Sequence, residues 1–367
     1  MNNTILIIAG EASGDMHGAG LMKEMLTINK STKFVGLGGP RMEQLGLQSL
    51  VPMNKLAVMG FWEVAKKILF FLKLKKQVLQ TVHSTSPDKI ILIDYPGFNL
   101  NIAKNIKKQF TIPVFYYISP QLWAWKEKRV EIVRQYIDHM IVVFPFEKAW
   151  YKSRGIDVQY FGHPIMETKN NYTYKPLDYN NTTRIALCPG SRMQEIDRHM
   201  PTITQFIKRY SDSNKNVDFT IIKAPGVSQK KLLSYLKGLQ VSIEQKPILE
   251  VLQECHFGVI ASGTASLESA ITTRPIIVIY KMSWISWFIT RRFITIPFAC
   301  IVNILANKKI IPELLQNHFT VQNIIKSINA YKESGARKNY VVEINNTINQ
   351  LGDGSAYYKT AKYIINQ

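Results

Sequence analysis

At 367 residues, with 46% hydrophobic and 20% charged residues, the chain is too long for one ordinary core and too apolar to be disordered. Its three cysteines, Cys188, Cys255 and Cys300, are odd in number and far apart, which excludes a disulfide framework and metal-ligand spacing and points to a reducing compartment. A net charge of +20 favours phosphorylated substrates or anionic lipid; nucleic acid is disfavoured, because no nucleic-acid module is recognisable and the lysines lie beside aliphatic and aromatic residues.

Short apolar strands alternate with helix-length segments in both halves, as in parallel α/β architecture. The first half predicts strands at 4–9, 33–36, 89–94, 113–117, 139–143 and 158–161. The first of these opens so near the N-terminus that no room is left for a signal peptide, and no apolar run reaches the ~18 residues that span a bilayer. A cytoplasmic location is expected. Residues 56–74 break the pattern: Phe61, Trp62, Leu69, Phe70 and Phe71 mix with lysines and almost no acids, which suits a helix lying in a lipid headgroup layer. A helix with one core face and a lysine fringe is the competing reading. Residues 168–183, rich in Asn, Thr and Tyr, read as a linker. The second half restarts with strands at 184–188, near 218–222, 257–261 and 275–280. It carries a second basic-aromatic stretch from Trp284 to Ile294 and closes with a helix at about 354–366.

Chemistry concentrates where strands meet helices. The stretch from Phe257 to Tyr280 runs from a strand through Ser262-Gly263-Thr264 into a helix with Glu268 on its second turn, then into another strand. That order puts free N–H groups and the positive helix end at the C-terminal edge of a parallel sheet, where a diphosphate binds well. Pro189-Gly190-Ser191-Arg192-Met193-Gln194-Glu195 sets another small-residue loop and an arginine at a helix start. Near the N-terminus, Gly10-Glu11-Ala12-Ser13-Gly14-Asp15 reads as a tight polar loop. Asp94-Tyr95-Pro96-Gly97-Phe98-Asn99 closes a strand, the stretch Ser119 to Trp125 places two tryptophans beside a strand end, and Phe161-Gly162-His163-Pro164 follows a third. Each has a plainer reading: a capped turn for the first loop, a structural ion pair for Arg192, a solvated helix position for Glu268.

Taken in this order, with Gly36 to Met42, Val58 to Val64, Phe144 to Lys148 and Asn303 to Gln316, these stretches closely resemble the lipid-A-disaccharide synthase family, from the first strand to about Gln316. The resemblance implies an inverting, nucleotide-sugar-dependent glycosyltransferase of GT-B architecture, with two facing Rossmann-like domains and an interdomain cleft. The expected organisation is an acceptor- and membrane-facing domain at 1–167, the linker at 168–183, a UDP-sugar domain at 184–345, and a tail at 346–367 packing back on the first domain or on a partner subunit. The implied reaction moves 2,3-diacylglucosamine from UDP-2,3-diacylglucosamine to the 6-hydroxyl of 2,3-diacylglucosamine 1-phosphate (lipid X), giving a β-1,6-linked disaccharide 1-phosphate and UDP.

The resemblance also implies roles. Asp94 is the first choice of base, although many members carry a second aspartate where this chain has Gly97; Glu11, Asp15 and His17 are the alternatives. Ser13, Asn99 and Gln121 would hold the acceptor sugar or its phosphate. Ser262, Gly263 and Thr264 would cradle the diphosphate with Arg192 neutralising charge, Glu268 would accept from the ribose hydroxyls, and Asn303, Glu313 and Gln316 would complete the donor pocket. No metal or cofactor is implied. Peripheral attachment to the cytoplasmic face of an inner membrane and a homodimer are expected. UDP-sugar 2-epimerases, which share this fold, are the competing enzyme class, and a non-catalytic lipid-binding relative is the competing binder.

Overall fold

The computed structural model describes residues 3–56, 61–170, 172, 177–179, 182–284, 287–288, 292 and 296–367, with the main chain alone at 54, 61–67 and 170. In chain order the first elements are β1 (Thr4–Ala9), α1 (Ala12–Ile28), β2 (Lys33–Leu37), α2 (Pro40–Glu43), β3 (Leu47–Ser49), α3 (Phe61–Thr85), β4 (Lys89–Ile93) and α4 (Pro96–Lys107). They continue with β5 (Val114–Tyr117), α5 (Val130–Tyr136), β6 (His139–Val142), α6 (Pro145–Lys152), β7 (Gln159–Tyr160) and α7 (Ile165–Asn170). The second series is β8 (Thr183–Cys188), α8 (Met193–Ser213), β9 (Val217–Ile222), α9 (Gln229–Tyr235), β10 (Ser242–Glu244), α10 (Ile248–Leu252), β11 (Phe257–Ala261) and α11 (Thr264–Ile271). After β12 (Ile276–Tyr280) come α12 (Ile301–Ala306), β13 (Glu313–Leu315), α13 (Val321–Lys332), α14 (Ser334–Ile348) and α15 (Ala356–Asn366).

The chain divides into two compact units, Met1–Thr168 with Leu351–Gln367, and Lys169–Gln350. Each holds one parallel sheet, in the orders β3-β2-β1-β4-β5-β6-β7 and β10-β9-β8-β11-β12-β13. The central strands β1 and β11 are buried along their whole length, so they read as unbroken apolar runs. In both sheets the chain starts in the middle, winds outward one way, then returns to wind the other way. The reversal falls between β1 and β4 in the first unit and between β8 and β11 in the second, and ligands bind at such switch points in open α/β sheets.

The α/β class and the long strands follow the sequence expectation. The three-residue strands β3, β10 and β13 escape it, since one or two side chains per face cannot establish a period. The first loop is also shorter than expected: the helix begins at Ala12, so Ser13 and Asp15 belong to its first turn. The terminal helix α15 lies on α1 within its own unit. The Tyr357 ring occupies the space a side chain at Gly20 would need, its hydroxyl sits 2.8 Å from His17 Nδ1, and its N–H donates to Glu167 Oε1 at 2.9 Å. Among the described residues no helix is long and apolar enough to cross a membrane.

Candidate active site

At the first switch point β1 ends beside β4, with Ala9 paired to Ile93. The chain leaves β4 through two consecutive left-handed residues, Asp94 (φ 44°) and Tyr95 (φ 50°). Non-glycine residues pay strain for this conformation and hold it only when neighbours impose it. Here Asn99 Nδ2 donates to Ile93 O (3.1 Å) and Asp94 O (2.8 Å), and the Tyr116 hydroxyl donates to Asp94 O at 2.6 Å. The Tyr95 ring folds back over Gly10, where an added Cβ would meet it at 2.4 Å, so the first loop requires glycine. The turn thereby leaves a half-buried Asp94 carboxyl within reach of the Glu11 charge at the start of α1. Burial, and then the negative charge of Glu11, push its pKa up to about 6 against an opposing hydrogen bond from the Tyr95 backbone. A carboxylate poised there can accept a proton near neutral pH.

The other residues read from this half fall into different places. Glu11 is exposed at the N-cap of α1, and Ser13 is exposed in its first turn. Asp15 is buried, and its carboxylate accepts from the main-chain N–H groups of Gly39 (2.9 Å), Met42 (3.1 Å) and Arg41 (3.2 Å), which commits it to capping α2 instead of serving as a base. His17 is held by Tyr357, and burial lowers its pKa to about 4, so it stays neutral. Asn99 is fully buried beneath the Asp94 turn, so it supports that turn and does not reach an acceptor. Gln121 is exposed in the loop after β5. Gly97 is exposed, with nothing within 4 Å of the position its Cβ would take. A second carboxylate there would have room, and this chain lacks it.

At the second switch point β8 pairs with β11, Cys188 opposite Ile260. Gly190 has φ +128°, and its missing side chain leaves space for Glu195, whose Oε2 accepts from Ser191 N at 2.9 Å and Arg192 N at 3.3 Å. This cap leaves the Arg192 side chain exposed at the helix start. On the neighbouring strand Gly263 has φ +143°, with nothing within 4 Å of where a Cβ would project, and it opens directly into α11. The first N–H groups of any helix lack an intrahelical acceptor, so Gly263 and the exposed Thr264 face open space with anion-seeking donors. Glu268 is half-buried one turn further on, and burial raises its pKa.

Asn303 and Glu313 do not line this space; they hold its wall. Asn303 is fully buried and uses its whole amide: Nδ2 donates to Ile311 O (2.8 Å) and Glu313 Oε1 (2.7 Å), while Oδ1 accepts from Ile310 N and Ile311 N, both at 2.9 Å. Glu313 in turn accepts from Ala299 N (2.9 Å) and Cys300 N (3.0 Å). Ala299 O then receives the Ser262 hydroxyl at 2.9 Å. Gln316 sits at φ +50° just past β13, its Nε2 enclosed with no acceptor among the described residues. His199, which sequence reading passed over, is fully buried with Nδ1 2.6 Å from Pro189 O and Nε2 2.9 Å from Lys281 N. A carbonyl can only accept and an N–H only donate, so the ring is neutral with its proton on Nδ1, bracing the Gly190 loop against the end of β12. A lone histidine in an amphipathic helix carries no signal of that role.

Helix α3 divides the residues expected at a lipid contact. Ile68, Leu69 and Leu72 are 53%, 67% and 50% exposed, whereas Phe70 and Phe71 are half-buried and pack on the core, Phe71 against Phe98 with ring centroids 5.9 Å apart. The side chains of Phe61 and Trp62 lie outside the described residues. In the second aromatic stretch Trp284 and Phe288 are exposed and stacked at 6.0 Å, while Arg291, Phe293 and Ile294 lie outside the described residues.

Two Rossmann-like units, each with an opened strand-to-helix loop at its switch point, define a protein of the GT-B fold class. The UDP-GlcNAc 2-epimerase from Neisseria meningitidis bound to UDP-GlcNAc shares this fold with a TM-score of 0.68 over 99% of this chain and 100% of that one; at 14% identity the likeness concerns fold alone. Sequence comparison goes further. The sequence model of the family described as Lipid-A-disaccharide synthetase matches residues 5–365. Lipid-A-disaccharide synthase 1 of Legionella pneumophila (strain Paris) is 36% identical over 323 residues, covering 85% of this chain and 83% of the relative. The lipid-A-disaccharide synthase of Myxococcus xanthus (strain DK1622) is 32% identical over 374 residues, 98% of this chain and 96% of its own. The chain belongs to the lipid-A-disaccharide synthetase family and is a glycosyltransferase.

Proposed function

We propose that the enzyme transfers 2,3-diacylglucosamine from UDP-2,3-diacylglucosamine to the 6-hydroxyl of lipid X with inversion. The observation that carries this reading is the Asp94 carboxyl, strained into place and raised to about 6 at a switch point. In the proposed step Asp94 takes the hydroxyl proton as the acceptor oxygen bonds to C1 of the donor sugar, and the C1–phosphate oxygen bond breaks with its electron pair leaving on UDP. The N–H groups at the start of α11 and the Arg192 guanidinium stabilise the departing diphosphate. Glu268 accepts from the ribose, and Ser13 and Gln121 contact the acceptor sugar. Product analysis by NMR tests the reading: a β-1,6 linkage supports it, and an α linkage or a 2-epimerised UDP-sugar overturns it.

Arg192→Ala weakens UDP binding by about 1.5–3 kcal/mol in calorimetry if its charge meets the diphosphate, with thermal stability unchanged. Unchanged affinity assigns Arg192 to the loop alone.

Both substrates are lipids, which favours peripheral attachment at the cytoplasmic face of the inner membrane. The exposed Ile68-Leu69-Leu72 face of α3, beside Lys73 and Lys76, suits an anionic headgroup layer. Glutamate at Ile68, Leu69 and Leu72 together reduces binding to phosphatidylglycerol vesicles by on the order of tenfold or more, with the melting temperature retained. Glutamate at Phe70 or Phe71 lowers the melting temperature instead, because those rings pack on the core. Vesicle binding that survives the triple substitution moves the contact elsewhere.

A further inference from the structure

The loop after β5 carries two tryptophans with opposite fates. Trp123 is buried and donates Nε1–H to Glu147 Oε1 at 3.0 Å, whereas Trp125 is 50% exposed. Lys126 lies with Nζ 4.2 Å from the Trp125 ring centroid. It takes φ +56° and opens the single 3₁₀ turn Glu127–Arg129, closed by Arg129 N–H to Lys126 O at 3.0 Å. That bond brings the main chains of Lys126 and Arg129 within one turn of each other. Partial burial, and then the Arg129 charge, hold the Lys126 ammonium below its ordinary range. The acid of the same turn does not relieve them, for Glu127 is drawn to Arg154 at 2.8 and 2.6 Å, and Arg154 lies over Trp150 at 3.9 Å. Among the described residues no carboxylate comes within ion-pair distance of Lys126 or Arg129. The Arg129 charge also reaches the buried Tyr116 hydroxyl, the group that donates to Asp94 O. Two like charges beside an open aromatic face therefore stand in the neighbourhood of the Asp94 turn.

We propose that Trp125, Lys126 and Arg129 form a subsite for the acceptor, in which the two cations bridge the phosphomonoester of an acylated sugar 1-phosphate and Trp125 covers the apolar face of its sugar. A phosphomonoester carries close to two negative charges and three acceptor oxygens, which matches two neighbouring cations. A sugar's C–H face stacks on an indole as readily as other apolar surface does. The ligand's identity rests on the transferase reading above, while the residues of the subsite do not.

The test titrates the full-length protein with lipid X and with its phosphate-free counterpart, both in neutral-detergent micelles. Wild type binds the phosphorylated form on the order of tenfold more tightly, and Lys126→Gln with Arg129→Gln abolishes that preference. Trp125→Ala weakens both ligands by the same several-fold factor. Lys126→Gln alone, at an exposed position, gives an intermediate loss and guards against misfolding of the double variant. A double variant that keeps the preference overturns the proposal. So does equal displacement of lipid X by phosphatidylglycerol in the same micelles, which makes the patch a general anionic-lipid contact. UDP release separates the two readings. A double variant that turns over with an unchanged acceptor KM sinks the subsite and leaves the transferase. Phosphate-selective binding without acceptor-dependent UDP release sinks the transferase and leaves the subsite.

Discussion

Replacing Asp94 with Asn lowers turnover by ~10²- to 10⁴-fold, the range a positioned general base contributes, and leaves UDP affinity unchanged. The amide keeps the size of the carboxyl and the left-handed turn beneath it, because Asn99 and Tyr116 hold the Asp94 main-chain carbonyl and not its side chain. Only proton acceptance is lost. The wild-type enzyme supplies its own control through pH. With its pKa raised to about 6, Asp94 is protonated and idle below that value and ionised above it, so kcat/KM rises with pH through about 6. Glu11→Gln removes the like charge, the smaller of the two causes, and moves that rise toward the ordinary carboxylate range without erasing it, because burial remains. A rise that stays in place in Glu11→Gln assigns it to another group. Full activity in Asp94→Asn moves the base elsewhere.

Asn303→Ala is expected to cost ~3–5 kcal/mol of stability, since each buried polar group deprived of its partner costs about 1–3 kcal/mol. The substitution strands the N–H groups of Ile310 and Ile311, the Ile311 carbonyl and one bond to Glu313. Glu313 then loses a donor while still holding Ala299 and Cys300, and through Ala299 the Ser262 hydroxyl. UDP affinity falls together with the melting temperature. Arg192→Ala behaves differently, changing affinity alone. If Asn303→Ala weakens UDP binding with the melting temperature untouched, the amide meets the ligand directly and the clamp assignment is wrong.

These contrasts mark what the sequence makes legible. The long strands show themselves because parallel strands buried on both faces must be continuous apolar runs, and the loops after β1, β4, β8 and β11 show themselves because backbone must turn sharply there. Whether a polar residue in such a loop faces ligand or protein is a different matter. Asn99 and Asn303 stand in motifs beside Asp94 and the Ser262 loop, yet both amides are turned inward onto main-chain groups. The same residue type at the same spacing serves either purpose, and only the packed structure separates them. Helix α3 presents a related difficulty. Apolar residues occur on so many of its sides that its phase is ambiguous, and the inward turn of Phe71 is set by Phe98 on α4, a contact between segments distant in sequence.

The central claim is acceptor-dependent transfer, and UDP release by the purified protein tests it most directly, with UDP-2,3-diacylglucosamine in detergent micelles, with and without lipid X. UDP is predicted to appear only when lipid X is present, in equal amount to a disaccharide phosphate. Release without lipid X, or none in either case, contradicts the account.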